Sequence, residues 1–346
     1  MEKSLKVGIS GINAVDNPGP GVGVAKSIKE WNRDISVVGL AYDTMEPGIY
    51  MKWLIEKSYL MPYPSQGADA YIDRLLYIKN SYGLDAVIPT LDAELPLYIE
   101  YAEKLKEYGI ANFLPTKEQF RLRSKDKLPE IAEKIGVKVP KTFTVIDYKG
   151  LQEALNEVGY PAMVKGLFYK AYKVYNYAEA VEKFNAIVAE WGYPIIVQQV
   201  VKGEEVNLVG VGDGEGGHFG FLNIKKLWIT QLGKIWTGVT IRNPKVIEAA
   251  ENFVKAFKWR GAFELEAIYS PEGELYLIEI NPRFPAWVYF ATGAGVNLPA
   301  RLLMAAMGEE PPRDWNYAVG KLYIRYTDDF VTDMETFQKI STYGEV

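Results

Sequence analysis

Residues 261–283, GAFELEAIYSPEGELYLIEINPR, constrain the fold more than any other stretch of the chain. Ser270-Pro271-Glu272-Gly273 has tight-turn chemistry, with Pro at the second position and Gly at the fourth, so the flanking apolar runs should fold back as a β-hairpin. In a strand, residues two apart share a face. Glu264 and Glu266 therefore line one face of the first strand, and Glu279, Asn281 and Arg283 line one face of the second strand and its exit. Carboxylates among so many Leu, Ile, Tyr and Phe residues are costly to bury unless paired or bound to cations. Strand alternation alone equally allows a surface hairpin whose Glu residues face water. Asn281-Pro282-Arg283, directly after Ile278-Glu279-Ile280, shifts the balance. Carboxylate, carboxamide and guanidinium together offer oxygen ligands for a hard cation such as Mg²⁺ and a fixed positive charge for an anionic oxygen.

Composition narrows the chemistry further. The chain has no Cys, and His218 is its one histidine, which removes disulfides, thiol nucleophiles, cysteine zinc sites and multi-histidine metal sites. Asp, Glu, Lys and Arg must carry any reaction. A net charge of -5 with a pI near 5.3 argues against a nucleic-acid partner. No run of 18 apolar residues occurs, and the start MEKSLKVGIS lacks the apolar core of a signal peptide, so no membrane span and a cytoplasmic location are expected. A length of 346 residues suggests two to three domains at roughly 150 residues each.

The N-terminal part alternates strand and helix patterns: strands at Lys6 to Ser10, Ile35 to Ala41 and Asp85 to Pro89, helices at Val22 to Trp31 and at 69–81. This predicts a parallel α/β sheet with ligands at the carboxyl ends of its strands. Two loops occupy that position. The loop Gly11 to Gly23, including Asn17 and Gly21, runs into a helix N-terminus and is read as a substrate contact or a structural turn. Its glycine spacing matches neither a dinucleotide fingerprint nor a P-loop. Asp92 and Glu94 open the helix after the third strand, where acidic residues serve as caps.

Glu279-x-Asn281-Pro282-Arg283 resembles the metal-binding strand end of the ATP-grasp superfamily, in a version similar to carbamoyl phosphate synthase large subunits. The resemblance implies that Glu266, Glu279 and Asn281 hold Mg²⁺, with Mn²⁺ as a substitute, on ATP, and that Arg283 faces the transferred phosphate. It implies too that Asp92 and Glu94, rather than only capping their helix, bind the amine or amino-acid part of a substrate. It runs from about residue 85 to about residue 308 and is most specific in its C-terminal half. Ser124-Lys125-Asp126-Lys127 then looks like the motif whose Lys127 approaches the ATP phosphates, although alone it reads as a solvated helix end. Tyr160-Pro161-Ala162-Met163-Val164-Lys165 places a Lys at the end of an apolar strand, where an anion is needed to offset burial; the resemblance makes that anion the α-phosphate.

Gln198, Gln199, Val200 and Val201 fall on the family's adenine-binding hinge, and Glu205 on its ribose position; Gln198 stands where a Glu is often found. A basic residue facing the phosphates falls on Lys225 or Lys226, with no means of choosing between them. The chain departs from the family at 166–173, GLFYKAYK, where many members carry a Gly-rich lid. The helix pattern from Pro244 to Trp259 carries an apolar stripe that reads as core.

The resulting expectation is an α/β and α+β chain: a Rossmann-like parallel sheet over 1–115, ATP-grasp lobes over 116–200 and 201–310, and an extension over 311–346 that matches no known pattern. The implied activity is an ADP-forming carboxylate–amine ligase acting on small molecules through an acyl phosphate. Such catalysis rests on positioning and charge, so the lack of a His or Cys nucleophile is no objection. A kinase on the same clamp and a non-catalytic nucleotide sensor are the alternatives, and a homodimer is compatible with both. A carbamoyl phosphate synthase large subunit carries two ATP-grasp units and this chain has room for one, which argues against that reaction.

Overall fold

The computed structural model describes residues 4–14, 18–166, 170–230 and 233–346; Asn17 and the 167–169 part of the lid lie outside them. The chain divides into two compact units, one of residues 1–136, 206–266 and 279–346, the other of 137–205 and 267–278.

In the larger unit, β1 (Lys6–Ser10), β2 (Ser36–Ala41), β3 (Lys57–Leu60) and β4 (Ala86–Ile88) form a parallel sheet in the order β3-β2-β1-β4. Buried Val, Ile and Leu on both faces of β1 and β2 explain their nearly continuous apolar runs. The helices Pro20–Trp31 and Ala68–Ser81 follow the expected pattern. β3 was not foreseen: KSYL is four residues long and shows no alternation that separates it from a loop. Gly21 begins the helix against the end of β1, where its N–H bonds Gly11 O at 2.9 Å and an added Cβ would overlap Ser10 O. Close backbone packing therefore accounts for this glycine.

In the smaller unit, β5 (Thr142–Val145), β6 (Ala162–Gly166), β7 (Ala171–Val174) and β8 (Ile195–Gln199) pair antiparallel in the order β5-β8-β6-β7. The helices Tyr148–Val158 and Tyr177–Trp191 bring Leu151, Leu155, Phe184 and Ile187 into its core.

A six-stranded sheet has the order β13-β12-β9-β10-β11-β14, from β9 (Glu204–Asp213), β10 (His218–Ile229), β11 (Ile235–Ile241), β12 (Arg260–Tyr269), β13 (Leu275–Asn281) and β14 (Leu322–Ile324). The expected turn joins β12 to β13, with Gly273 N on Ser270 O at 2.9 Å and Ser270 N on Glu274 O at 2.8 Å. A parallel α/β sheet accompanied by antiparallel sheets is the fold class the sequence predicts. The helix Pro244–Phe257 buries Val246, Ala250, Phe253 and Val254, so its stripe is core.

The C-terminal extension acquires a structural role that its sequence did not announce. β14 pairs antiparallel with β11, and Val346 exchanges backbone hydrogen bonds with Ser58 of β3.

Candidate active site

The acidic face of the β12–β13 hairpin belongs to the larger unit. Because side chains alternate, Glu264 and Glu266 on β12 meet Asn281 on β13: Asn281 Nδ2 donates to Glu264 Oε2 and to Glu266 Oε1, both at 3.0 Å. Glu264 Oε1 also accepts from Asn207 Nδ2 at 2.7 Å and from Trp287 Nε1 at 2.9 Å. Burial, and then the nearby Glu266 charge, raises the Glu264 pKa. Glu264 is thus a buried organiser that orients Asn281, a role the strand parity hinted at without specifying.

Lys226 Nζ donates to Glu266 Oε2 at 3.0 Å. Glu279 is solvent accessible on the same face. Desolvation and then the Glu266 carboxylate raise its pKa, against the opposing positive charges of Lys125 and Arg283. Lys127 stands at the start of the helix Leu128–Ile135, exposed, with Glu130 at 3.8 Å.

Arg283 lies directly beyond β13. Its Nε and Nη2 donate to Asp92 Oδ2 at 3.1 and 2.8 Å, and Nη2 reaches Asn281 Oδ1 at 3.3 Å. Arg123 Nη1 reaches the other Asp92 oxygen at 3.3 Å. The structure therefore brings the loop after β4 to the Asn-Pro-Arg segment. Asp92 keeps 38% of its side chain exposed. Glu94, by contrast, is fully buried. Its carboxylate accepts from Ser10 Oγ, from Thr90 N at 2.9 Å, from Leu91 N at 3.0 Å and from the Tyr42 hydroxyl. Those groups take up both oxygens, leaving Asp92 as the member of the pair that reaches solvent.

His218 stacks on Phe221, with centroids 3.8 Å apart, and accepts from Gly220 N at 3.1 Å. Burial lowers its pKa to about 4, so it is neutral at pH 7 and has a packing role.

Glu266, Glu279 and the Asn281 amide supply oxygen donors suited to a hard divalent cation. The repulsion between Glu266 and Glu279 is what such an ion relieves. Among the described residues no group of three or more His, Cys, Asp or Glu side chains is arranged around a common point, so an ion here depends on the amide oxygen as well as the two carboxylates.

In the smaller unit, Lys165 Nζ on β6 donates to Gln198 Oε1 at 2.6 Å, and Gln198 Nε2 donates to Thr142 Oγ1 at 3.0 Å. Gln199 pairs with Lys141 on both sides, through its backbone N–H at 2.8 Å and its side-chain oxygen at 3.2 Å. Val200 and Val201 are partly exposed beyond the strand, and Glu205 is exposed at the start of β9.

A family model described as an ATP-grasp domain matches residues 123–286. The carbamoyl phosphate synthase large chain of Clostridium acetobutylicum is 23% identical over 226 residues, covering 62% of this chain and 21% of that protein. The C-terminal section of the large chain from Methanopyrus kandleri is 25% identical over 211 residues, covering 56% of this chain and 38% of that one. The chain thus spans well under half the length of these curated relatives.

Similar solved structures include the biotin carboxylase domain of 2-oxoglutarate carboxylase from Hydrogenobacter thermophilus, a dimer in complex with MgADP and bicarbonate. Its TM-score is 0.67 at 19% identity, over 90% of this chain and 72% of that one. N5-carboxyaminoimidazole synthetase from Staphylococcus aureus gives 0.66 at 18%, over 90% and 80%. At these identities the structures attest the fold. With the Glu-x-Asn-Pro-Arg strand end and the paired sheets in place, the chain carries an ATP-grasp domain over residues 123–286.

Proposed function

We propose that this chain is an ADP-forming ligase that activates a small carboxylate as an acyl phosphate with MgATP and joins it to an amine or similar nucleophile. The single observation that carries the reading is the Glu266–Asn281–Arg283 arrangement, in which an acidic oxygen cluster adjoins a guanidinium already oriented by Asp92. Glu266, Glu279 and Asn281 would hold Mg²⁺, which would supply charge neutralisation for a triphosphate. Glu264 holds the Asn281 amide in place. Lys226 balances the charge of Glu266 and is within reach of an anionic oxygen brought to the same carboxylate. Arg283 offers a bidentate-capable fork whose orientation is fixed before substrate arrives, so less side-chain entropy is lost on binding.

For the nucleotide we assign Lys165 to phosphate, Gln198 to Val201 to the base and Glu205 to the ribose. Lys165 supports this assignment by lying on the strand next to Gln198, to whose side-chain oxygen it donates. The kinase and sensor alternatives differ in products. ADP release measured against a panel of carboxylates and amines, with hydroxylamine as trap, tests the reading. Hydroxamate formation and an amide product are expected. A phosphorylated product without condensation would indicate a kinase, and nucleotide binding without ADP release a sensor.

A further inference from the structure

The C-terminal extension closes one side of a cavity of about 330 Å³ that the acidic hairpin does not line. Tyr289 and Phe290 face it from the segment that continues Arg283, and Tyr323 and Tyr326 face it from β14 and the residue after Arg325. Lys26, Lys321 and Arg325 are its charged lining residues, and among the described residues no carboxylate lines it. That is an uneven distribution in a chain whose net charge is -5.

Arg325 is the informative member. It is only 7% exposed, and among the described residues its guanidinium donates to neutral oxygens: Pro18 O at 3.3 Å, Ala286 O at 2.9 Å and the Tyr323 hydroxyl. Its Nε is buried with no partner. A guanidinium removed from water without an anionic partner is costly. Lys26 sits 5.7 Å from the Tyr289 ring centre, and Lys26 and Lys321 are solvent exposed. The first turn of the helix Pro20–Trp31 also borders the cavity at Val22 and Gly23, and its cap residue Gly19 supplies no side-chain acceptor. The dipole of that helix adds positive potential to the same wall.

We propose that this cavity binds a small organic anion, with Arg325, Lys26 and Lys321 as its charge partners and the aromatic side chains holding an apolar body. The volume lies at the low end for ligand pockets, which suits a molecule of amino-acid to dipeptide size. Taken with the ligase reading, on which this last step rests, the anion is the carboxylate-bearing substrate or co-substrate. The segment 286–293 carries the chain directly from Arg283 to the cavity wall.

Calorimetry without nucleotide tests the pocket, using 3-phenylpropionate, phenyl phosphate and the neutral 3-phenylpropionamide as probes. At least one anion is expected to bind tighter than about 1 mM, with the amide roughly tenfold weaker or more. The better of the two anions identifies carboxylate or phosphate as the preferred head group. The double variant Lys26→Glu/Lys321→Glu, folded by circular dichroism, should lose at least about tenfold in anion affinity. Failure of both anions to bind, equal binding of the amide, or an unaffected double variant overturns the proposal. MgATP binding measured on the same samples separates the two claims. Retained MgATP binding with no anion binding removes the pocket alone, whereas anion binding without MgATP binding leaves the pocket standing and removes the ligase reading.

Discussion

Asp92 and Arg283 are 191 residues apart in sequence, yet one carboxylate oxygen of Asp92 accepts from both Nε and Nη2 of Arg283. The contact fixes the guanidinium beside Asn281 and makes Asp92 a positioning residue for the proposed reaction. Asp92→Asn should lower kcat by about tenfold, because a weaker acceptor leaves the guanidinium fork free to rotate. The melting temperature should change little, as the Asp92 side chain is partly exposed. Steady-state kinetics and a thermal melt on the same variant check this. An unchanged kcat would show that Arg283 is held without Asp92.

Glu94→Gln should behave in the opposite way. Thr90 N and Leu91 N donate to one Glu94 oxygen and the Tyr42 hydroxyl to the other, so an amide removes the charge from every one of these bonds and forces the Tyr42 hydroxyl to turn and accept. A loss of about 1.5 to 3 kcal/mol in unfolding free energy is expected from hydrogen bonds to a charged group. Denaturant titration reads it directly. Stability equal to wild type would mean the Glu94 network contributes nothing net.

The difference between these two neighbours also shows what the sequence could and could not reveal. Both were legible as acidic residues at a helix start, and strand parity correctly grouped Glu264 with Glu266 and Glu279 with Asn281. Which way the Glu94 side chain turns depends on Ser10 and Tyr42, both far away in sequence, and no local pattern encodes that. The contact of Lys226 with Glu266 likewise depends on the register of β10 against its neighbours. β14 was invisible because three residues carry no periodicity and its partner β11 lies some eighty residues upstream. The helix Pro244–Phe257 and the Ser270–Gly273 turn were legible because their signals are local.

Lys165→Ala should weaken MgATP binding by about tenfold or more, through loss of one charge-assisted contact. Calorimetry on the folded variant checks the outcome. Equal affinity would place Lys165 outside the nucleotide site.

Stability should also depend on pH through Glu46, whose burial pushes its carboxyl up to about 7. The side chain is 6% exposed, and one of its oxygens is buried without a partner. Between the unfolded value near 4.3 and the folded value, the folded state holds a proton that the unfolded state has released. This contribution is therefore fully present at low pH and is lost as pH rises through 7. Its slope is at most about 1.4 kcal/mol per pH unit. His218 acts with the opposite sign below its ordinary value, so the effect is read as wild type minus Glu46→Gln. Urea unfolding at pH 5 and pH 8 should show a smaller pH difference in the variant; identical differences would contradict the assignment.

The most direct test of the central claim is Mg²⁺-dependent ADP formation by Glu279→Gln, with the fold verified by circular dichroism. Glu279 is solvent accessible and in contact with the electrostatic field of Glu266, so the change should leave the core intact. A neutral amide holds a divalent ion poorly against a triphosphate. The account predicts loss of ADP formation by about a hundredfold or more, only partly recovered at high Mg²⁺. Turnover within a few-fold of wild type would contradict the assignment of Glu266, Glu279 and Asn281 as the metal site, and with it the proposed ligase chemistry.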